Sequence, residues 1–262
     1  MLIDSHCHLD GKLFTDDRDA VIQAARDSGV ELFLAIGTGD GPPQLDCAVL
    51  LADQYPDIYA TVGVHPHDAA KFTDSTIGEL RALADHAKVL AVGEIGLDYH
   101  YDFSPRETQK RVFVEQMALA AELELPIVIH TREAWDDTLE MLRAHWAPTG
   151  LGGILHCFTG EREHAEAGLA MGFHISFSGV LTFGRSDDLR AVAAQVPLDR
   201  LLVETDAPYL TPAPHRKIRR NEPRFVVETA RKLAEVRGIE FEEIARATSE
   251  NFRTLFRLVR SD

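Results

Sequence analysis

Short apolar runs alternate with helix-forming segments along the whole chain, and this alternation is the feature that most restricts the fold. The runs are rich in Val, Ile and Leu without regular polar alternation, which is typical of strands covered on both faces. Eight such strands are predicted, at residues 2–5, 32–36, 58–64, 89–92, 127–129, 153–155, 174–177 and 201–203. Strands separated by helices pair in parallel, because a parallel pair needs a long crossover connection.

The segments between the runs carry helix signals of their own. Glu107 follows Ser104 by three positions, and Pro105 comes directly after Ser104. This spacing predicts a capping box with proline at the first helical position. Apolar side chains recur at helical spacing from Phe241 to Val259, which predicts a C-terminal helix packed on the core. The sequence therefore predicts an α/β protein with one domain over residues 1–262, a single (β/α)8 TIM-type barrel with a C-terminal helix. A doubly wound sheet is the alternative, weakened because no GxGxxG follows the first strand.

Composition limits the cellular setting and the partners. The formal net charge of -15 argues against broad electrostatic binding to nucleic acid, so a polyanionic substrate would need a local basic patch. The 3 cysteines show no CxxC spacing, which suits a reducing compartment. No apolar stretch approaches the roughly 20 residues of a membrane span, and no leader pattern follows Met1. We expect a cytoplasmic protein without membrane attachment, and no obligate protein partner is indicated.

Metal-binding side chains fall beside the carboxyl ends of the predicted strands. His6 and His8 alternate at the end of the first strand, so both imidazoles point to the same side. The full set of candidate ligands is His6, His8, His65, Glu94, His130, His156 and Asp206. Barrel enzymes place their chemistry at this end of the strands. Each residue alone has a structural alternative, such as a core histidine or a helix cap, but the repeated placement favours a site.

The number of candidate ligands indicates more than one ion. Imidazoles and carboxylates are present in excess of what one four-coordinate zinc site requires. Two ions that share a bridging carboxylate can activate a water and hydrolyse phosphate esters, amides or lactones. Mixed nitrogen and oxygen ligands are compatible with Mg, Mn, Zn or Co, so the sequence predicts two divalent metal ions without identifying the element.

An ordered set of motifs extends over almost the whole chain. They are DSHCH at 4–8, GVHPH at 63–67, GEIGLD at 93–98, PIVIHTR at 126–132, HCFTG at 156–160 and ETDAPYL at 204–210, with Gln109, Phe113 and Gln116 between them. With these motifs the chain resembles the TatD family of metal-dependent hydrolases, amidohydrolase-like barrels whose members act as deoxyribonucleases.

The resemblance implies a role for each ligand. One metal would lie among His6, His8, Glu94 and Asp206, and the other among Glu94, His130 and His156, with Glu94 as the bridge. Asp206 would orient the attacking water and take its proton, and Glu204 would support the ligands around it. His65 matches a functionally important family histidine and would contact the scissile phosphate or the leaving oxygen. We therefore predict Asp206, His65 and Glu94 as catalytic residues.

One basic cluster stands out in this acidic chain. Its cations are Arg216, Lys217, Arg219 and Arg220. The family usually shows RGKRNEP here, and this chain lacks the glycine. We expect these side chains to bind a phosphate backbone, and a solvated basic loop is the alternative.

The leading functional prediction is a deoxyribonuclease, with exonuclease action preferred, that uses two metals and has weak sequence preference because phosphate contacts carry no base information. A small-molecule amidohydrolase or lactonase with the same metals is the alternative enzyme, and a binding protein that keeps metals for structure is the non-enzyme alternative. Three aromatic residues are candidates for stacking on unpaired bases: Phe103, Phe158 and Tyr209.

Overall fold

The eight predicted strands are all present in the computed structural model, which describes residues 1–259. The strands are β1 (Leu2–Cys7), β2 (Val30–Ala35), β3 (Ile58–Val62), β4 (Val89–Asp98), β5 (Ile127–Arg132), β6 (Gly153–Leu155), β7 (Phe173–Phe177) and β8 (Leu201–Val203). The largest difference lies in β4, which continues past the predicted end and contains Glu94. His6 and His130 likewise lie inside their strands rather than after them.

Nine α-helices lie within the described residues, one after each strand and one more at the end. They are α1 (Arg18–Asp27), α2 (Cys47–Gln54), α3 (Thr76–Ala84), α4 (Arg106–Glu122), α5 (Trp135–His145), α6 (Arg162–Ala170), α7 (Asp187–Gln195), α8 (Val226–Arg237) and α9 (Phe241–Leu255). Among residues 1–259, no helix has both the length and the apolar character that crossing a membrane requires.

The strands form one eight-stranded sheet in the order of the chain. The pairs β3–β4, β4–β5, β5–β6 and β7–β8 are parallel. A parallel bridge also joins Cys7, at the end of β1, to Ala207, just after β8. The prediction of an α/β fold of the (β/α)8 TIM type with a C-terminal helix is therefore confirmed.

The chain divides into two compact units. The first contains Met1–Leu34, His156–Glu166 and the described residues from His174 onward. The second contains Ala35–Leu155 and Ala167–Phe173. Both units bury large apolar side chains: Phe14, Phe33, Phe177 and Phe252 in the first, and Phe113, Trp146 and Phe173 in the second.

Two predictions about helix ends are wrong. Ser104 does not cap α4, because its hydroxyl donates to the carbonyl oxygen of His67 and accepts from the amide of Ala70. Pro105 occupies the cap position, and no side chain caps this helix. At the other end of the chain, Val259 lies beyond α9 and is 88% exposed, so the apolar stripe ends before it.

Two buried glutamines on α4 hold the backbone just after β3 and at the end of β4. The side chain of Gln116 accepts from the amide of Val64 (2.7 Å) and donates to its carbonyl oxygen (3.0 Å). Gln109 does the same for Asp98, at 2.8 and 3.0 Å, and also donates to the carbonyl oxygen of Ser104. Buried backbone groups that no neighbouring strand satisfies need such partners, so these side-chain amides fix the backbone that carries His65 and Asp98.

Gly96 allows β4 to approach β5 closely. Its φ is +142°, a backbone conformation that residues other than glycine rarely adopt, and an added Cβ would overlap the carbonyl oxygen of His130. By contrast, Gly78 on α3 has open space around the position that a Cβ would take.

We expect Gly96→Ala to lower the free energy of unfolding by about 3 kcal/mol, because strained backbone and overpacking act together. The matched control Gly78→Ala should raise the free energy of unfolding by about 0.5 kcal/mol, since alanine in place of a helical glycine reduces the conformational entropy of the unfolded chain. Urea unfolding followed by circular dichroism measures both changes. Equal, small effects of the two substitutions would show that Gly96 does not limit the packing of β4.

Candidate metal centre

Five predicted residues of the first unit come together and form the first-unit cluster: His6, His8, His156, Glu204 and Asp206. The Nε2 atoms of His6 and His8 lie 3.3 Å apart. Asp206 Oδ1 lies 3.8 Å from His6 Nε2 and 3.5 Å from His8 Nε2. Donor atoms bound to one tetrahedral ion at ~2.1 Å lie about 3.4 Å from one another, so this triangle has the dimensions of a set of metal ligands.

Glu204 and His6 hold His156 in this cluster. The imidazole of His156 stacks on that of His6, with ring centroids 3.7 Å apart. Glu204 Oε1 lies 3.2 Å from His156 Nδ1 and accepts the amide of Cys157 at 2.7 Å. Glu204 is fully buried, and its Oε2 has no hydrogen-bond partner within residues 1–259. A buried carboxylate oxygen without a donor is costly, and a cation nearby would compensate for it.

The backbone around Asp206 is fixed from β1. Asp4 accepts the amide of Thr205 at 2.9 Å, its hydroxyl at 2.6 Å and the amide of His6 at 3.4 Å. Asp206 has a φ of 56° in the left-handed region, and its amide donates to the carbonyl oxygen of His6 at 2.9 Å. Aspartate tolerates this conformation better than most residues, and such backbone is frequent at functional sites.

The second-unit cluster consists of His65, His67, Glu94, Asp98 and His130. Glu94 Oε1 lies 2.7 Å from His130 Nδ1 and 3.7 Å from His65 Nε2. Asp98 Oδ2 contacts the Nε2 atoms of His67 and His130, at 2.7 and 3.1 Å. One nitrogen from each of the three histidines lies within 4.8 Å of the others.

The charge states of both clusters suit cation binding. Burial and the neighbouring His130 lower the pKa of His65 to about 4, so this imidazole is neutral at pH 7 and adds no positive charge to its cluster. Burial raises the pKa of Asp206, but its hydrogen bond with His8 and the nearby histidines lower it overall. Burial acts against ionisation of Asp98 too, and hydrogen bonds from His130 and His67 nevertheless hold its pKa well below the usual range. Ionised carboxylates and neutral imidazoles are the donor set that divalent transition metals take.

The cations of the basic segment have different surroundings. Arg220 donates to both carboxylate oxygens of Asp17 at 2.7 Å and to Glu222 at 2.9 Å, which raises its pKa. The guanidinium carbon of Arg216 lies 3.7 Å from the ring centroid of Phe183. Two further cations of the segment, Lys217 and Arg219, are exposed and form no ion pair with any described residue. Phosphate contact stays a prediction for all four, and the geometry favours Lys217 and Arg219, which form neither an ion pair nor a ring contact with the described residues.

The sequence also matches a known family over nearly its full length. The model of the TatD related DNase family matches residues 3–257. The chain belongs to this family. Its resemblance to TatD proteins is thereby confirmed, and so is the prediction of a metal-dependent hydrolase.

Three relatives illustrate the match. The uncharacterized metal-dependent hydrolase YabD of Bacillus subtilis (strain 168) is 43% identical over 258 residues, which cover 98% of this chain and 100% of YabD. The 3'-5' ssDNA/RNA exonuclease TatD of Erwinia tasmaniensis is 41% identical over 262 residues, covering 98% and 100% of the two chains. The crystal structure of YJJV, a TatD homolog from Escherichia coli K12, has a TM-score of 0.91 at 33% identity and covers 98% of each chain.

The site prediction did not include Asp4, and it gave Asp98 no assigned role. Asp98 ends the GEIGLD motif, four residues after the predicted ligand Glu94, and this spacing could have suggested a partner for an imidazole. A carboxylate that accepts the second ring nitrogen of a ligating histidine fixes its tautomer and orientation. Asp98 is placed to do this for His130.

We expect Asp98→Asn to weaken divalent-metal binding by about 10- to 100-fold, because an amide is a poorer acceptor for the ring N–H of His130. Titration calorimetry with Mn²⁺ on metal-depleted protein measures this change. Asp102→Asn is the matched control, since this exposed carboxylate pairs with Arg106 and with no other cation among residues 1–259. Unchanged Mn²⁺ affinity in Asp98→Asn would remove Asp98 from this role.

Proposed function

We propose that this chain is a nuclease that hydrolyses phosphodiester bonds of DNA with two divalent metal ions, preferably from a strand end. The observation that carries the proposal is the pair of histidine–carboxylate clusters, one in each unit, on or just after strands of a (β/α)8 fold. Active sites of this fold lie at the carboxyl ends of the strands. The 41% identity to a protein named as a 3'-5' ssDNA/RNA exonuclease supports a nucleic-acid substrate.

The proposed ligands follow from the family motifs and from the donor atoms of each cluster. They are His6, His8 and Asp206 for one ion, His130 and His156 for the other, and Glu94 shared by both. Mg, Mn, Zn and Co all suit this donor set. When bound, two such ions supply charge neutralisation for the phosphate and lower the pKa of a water.

The remaining chemistry belongs to side chains of the chain. Asp206 is ionised and partly accessible, with a side-chain exposure of 14%, so it can orient a water and accept its proton. His65, neutral at pH 7, can donate a hydrogen bond to a phosphate oxygen or the leaving oxygen. We propose Lys217 and Arg219 as contacts for the phosphate backbone, while Glu204 keeps His156 in place.

We expect chelator treatment to abolish cleavage of end-labelled single-stranded DNA, and Mg²⁺, Mn²⁺, Zn²⁺ or Co²⁺ to restore it. Asp206→Asn should lower kcat by about 10²- to 10⁴-fold, the range for loss of a positioned general base. Asp188→Asn on α7 is the control and should match the wild type. Hydrolysis of a lactone or an amide by the same preparation, without any DNA cleavage, would instead favour the small-molecule alternative. Metal-dependent melting without any turnover would favour the non-enzyme alternative.

The double variant Lys217→Ala/Arg219→Ala should raise KM for single-stranded DNA and flatten its dependence on salt. Each lost phosphate contact should reduce the slope of log affinity against log salt by about 0.7. Arg162→Ala/Arg246→Ala removes the same charge from α6 and α9 and serves as the control. A salt slope identical in both double variants would show that the basic segment does not contact phosphates.

A further inference from the structure

Two exposed aromatic rings lie together beside the second-unit cluster. Tyr101 is 47% exposed and Phe103 is 66% exposed. Their rings stack with centroids 5.1 Å apart and an interplanar angle of 15°. The guanidinium carbon of Arg132, at the end of β5, lies 4.8 Å from the Tyr101 centroid. These three side chains form the aromatic shelf, which combines π faces with a cation.

His67 connects the aromatic shelf to the candidate catalytic groups. Its imidazole meets Phe103 edge to face at 4.9 Å and Tyr101 at 5.4 Å. The same imidazole lies 4.3 Å from that of His65. The ring of His67 therefore links a molecule on the shelf to the imidazole of His65, which is proposed to contact the reacting phosphate.

The backbone that carries the aromatic shelf is held in place. The amides of His100 and Tyr101 donate to Asp98 Oδ1 at 3.0 and 2.9 Å. The other oxygen of Asp98 contacts His67 and His130, so one carboxylate fixes both the shelf and the cluster. Past Phe103, Ser104 is anchored to the backbone of His67 and Ala70. A surface ordered before binding loses little entropy when a ligand arrives.

The chemistry of the aromatic shelf fits one kind of ligand. Aromatic rings next to a cation are what proteins use to bind single strands, because every unpaired base offers a π face to a ring and a phosphate to the cation. Paired bases within a duplex keep their faces stacked on each other and cannot make this contact. We propose that the shelf is a base-binding subsite, which stacks an unpaired nucleobase adjoining the scissile phosphodiester. This inference rests on the proposed nuclease function and names the side chains that would hold the base next to the reacting phosphate.

The test measures binding separately from cleavage. A phosphorothioate-linked single strand that resists hydrolysis, carrying 2-aminopurine at successive positions, is titrated with protein in the activating metal. Fluorescence quenching at one position should report stacking in the wild type. Phe103→Ala and Phe103→Leu should weaken binding by about 5- to 150-fold, since base–aromatic stacking is worth ~1–3 kcal/mol, and abolish the quenching. Phe103→Trp should retain both.

An abasic residue at the quenched position provides the matched control in the ligand. It should weaken wild-type binding as much as Phe103→Ala does, and combining the two changes should cause no additional loss. Thermal melting confirms that each variant is folded, which we expect because Phe103 is largely exposed.

The outcomes separate this inference from the function on which it rests. If the wild type cleaves single-stranded DNA while Phe103→Ala and Phe103→Leu bind as tightly as the wild type, the aromatic shelf is overturned and the nuclease stands. Loss of quenching in Tyr209→Ala, with Phe103→Ala unaffected, would overturn it in the same way, since Tyr209 is the exposed ring near His8. A wild type that neither cleaves nor binds nucleic acid would overturn the proposed function as well.

Discussion

Hydrogen bonding between buried carboxylates and imidazoles is the interaction on which the rest of this structure depends. Asp98 accepts from two histidines in the second unit, and Glu204 lies against His156 in the first. Each carboxylate is costly to bury, and its histidine partners offset that cost only while their ring nitrogens stay in place. A carboxylate bound to one nitrogen of an imidazole fixes the orientation of the ring, so the contacts that stabilise the clusters also orient their histidines.

The fold supports these contacts through elements that touch no substrate. Two glutamines on α4 satisfy the backbone after β3 and at the end of β4, and Gly96 allows β4 to lie close to His130. Asp4 anchors the turn that carries Asp206. The family motifs therefore contain two kinds of residue. Some are candidate metal ligands, and others fix the backbone that carries those ligands.

The sequence predicts the fold correctly, because strands and helices follow from local patterns. Apolar runs reveal the strands, and polar residues at their carboxyl ends reveal the candidate ligands. A hydrogen bond to a distant segment leaves no local pattern in the sequence. Ser104 was therefore predicted to cap α4, although its hydroxyl bonds to the backbone of His67 and Ala70. Exposure is also set by packing: Phe103 and Phe158 were equal candidates for base stacking, and the structure leaves the first 66% exposed and the second only 1%. The ion pair between Arg220 and Asp17 is not visible in a local pattern either, since the two residues lie far apart in the sequence.

The central proposal is that the side chains of both clusters bind two ions and that Glu94 is a ligand of each. Anomalous diffraction at the manganese absorption edge, from crystals grown with Mn²⁺, tests this most directly. We expect two peaks about 3.5 to 4 Å apart, the separation usual for two-metal hydrolases. One should contact His6, His8 and Asp206, the other His130 and His156, and Glu94 should contact both. A single peak, or peaks away from these side chains, would contradict the two-ion centre.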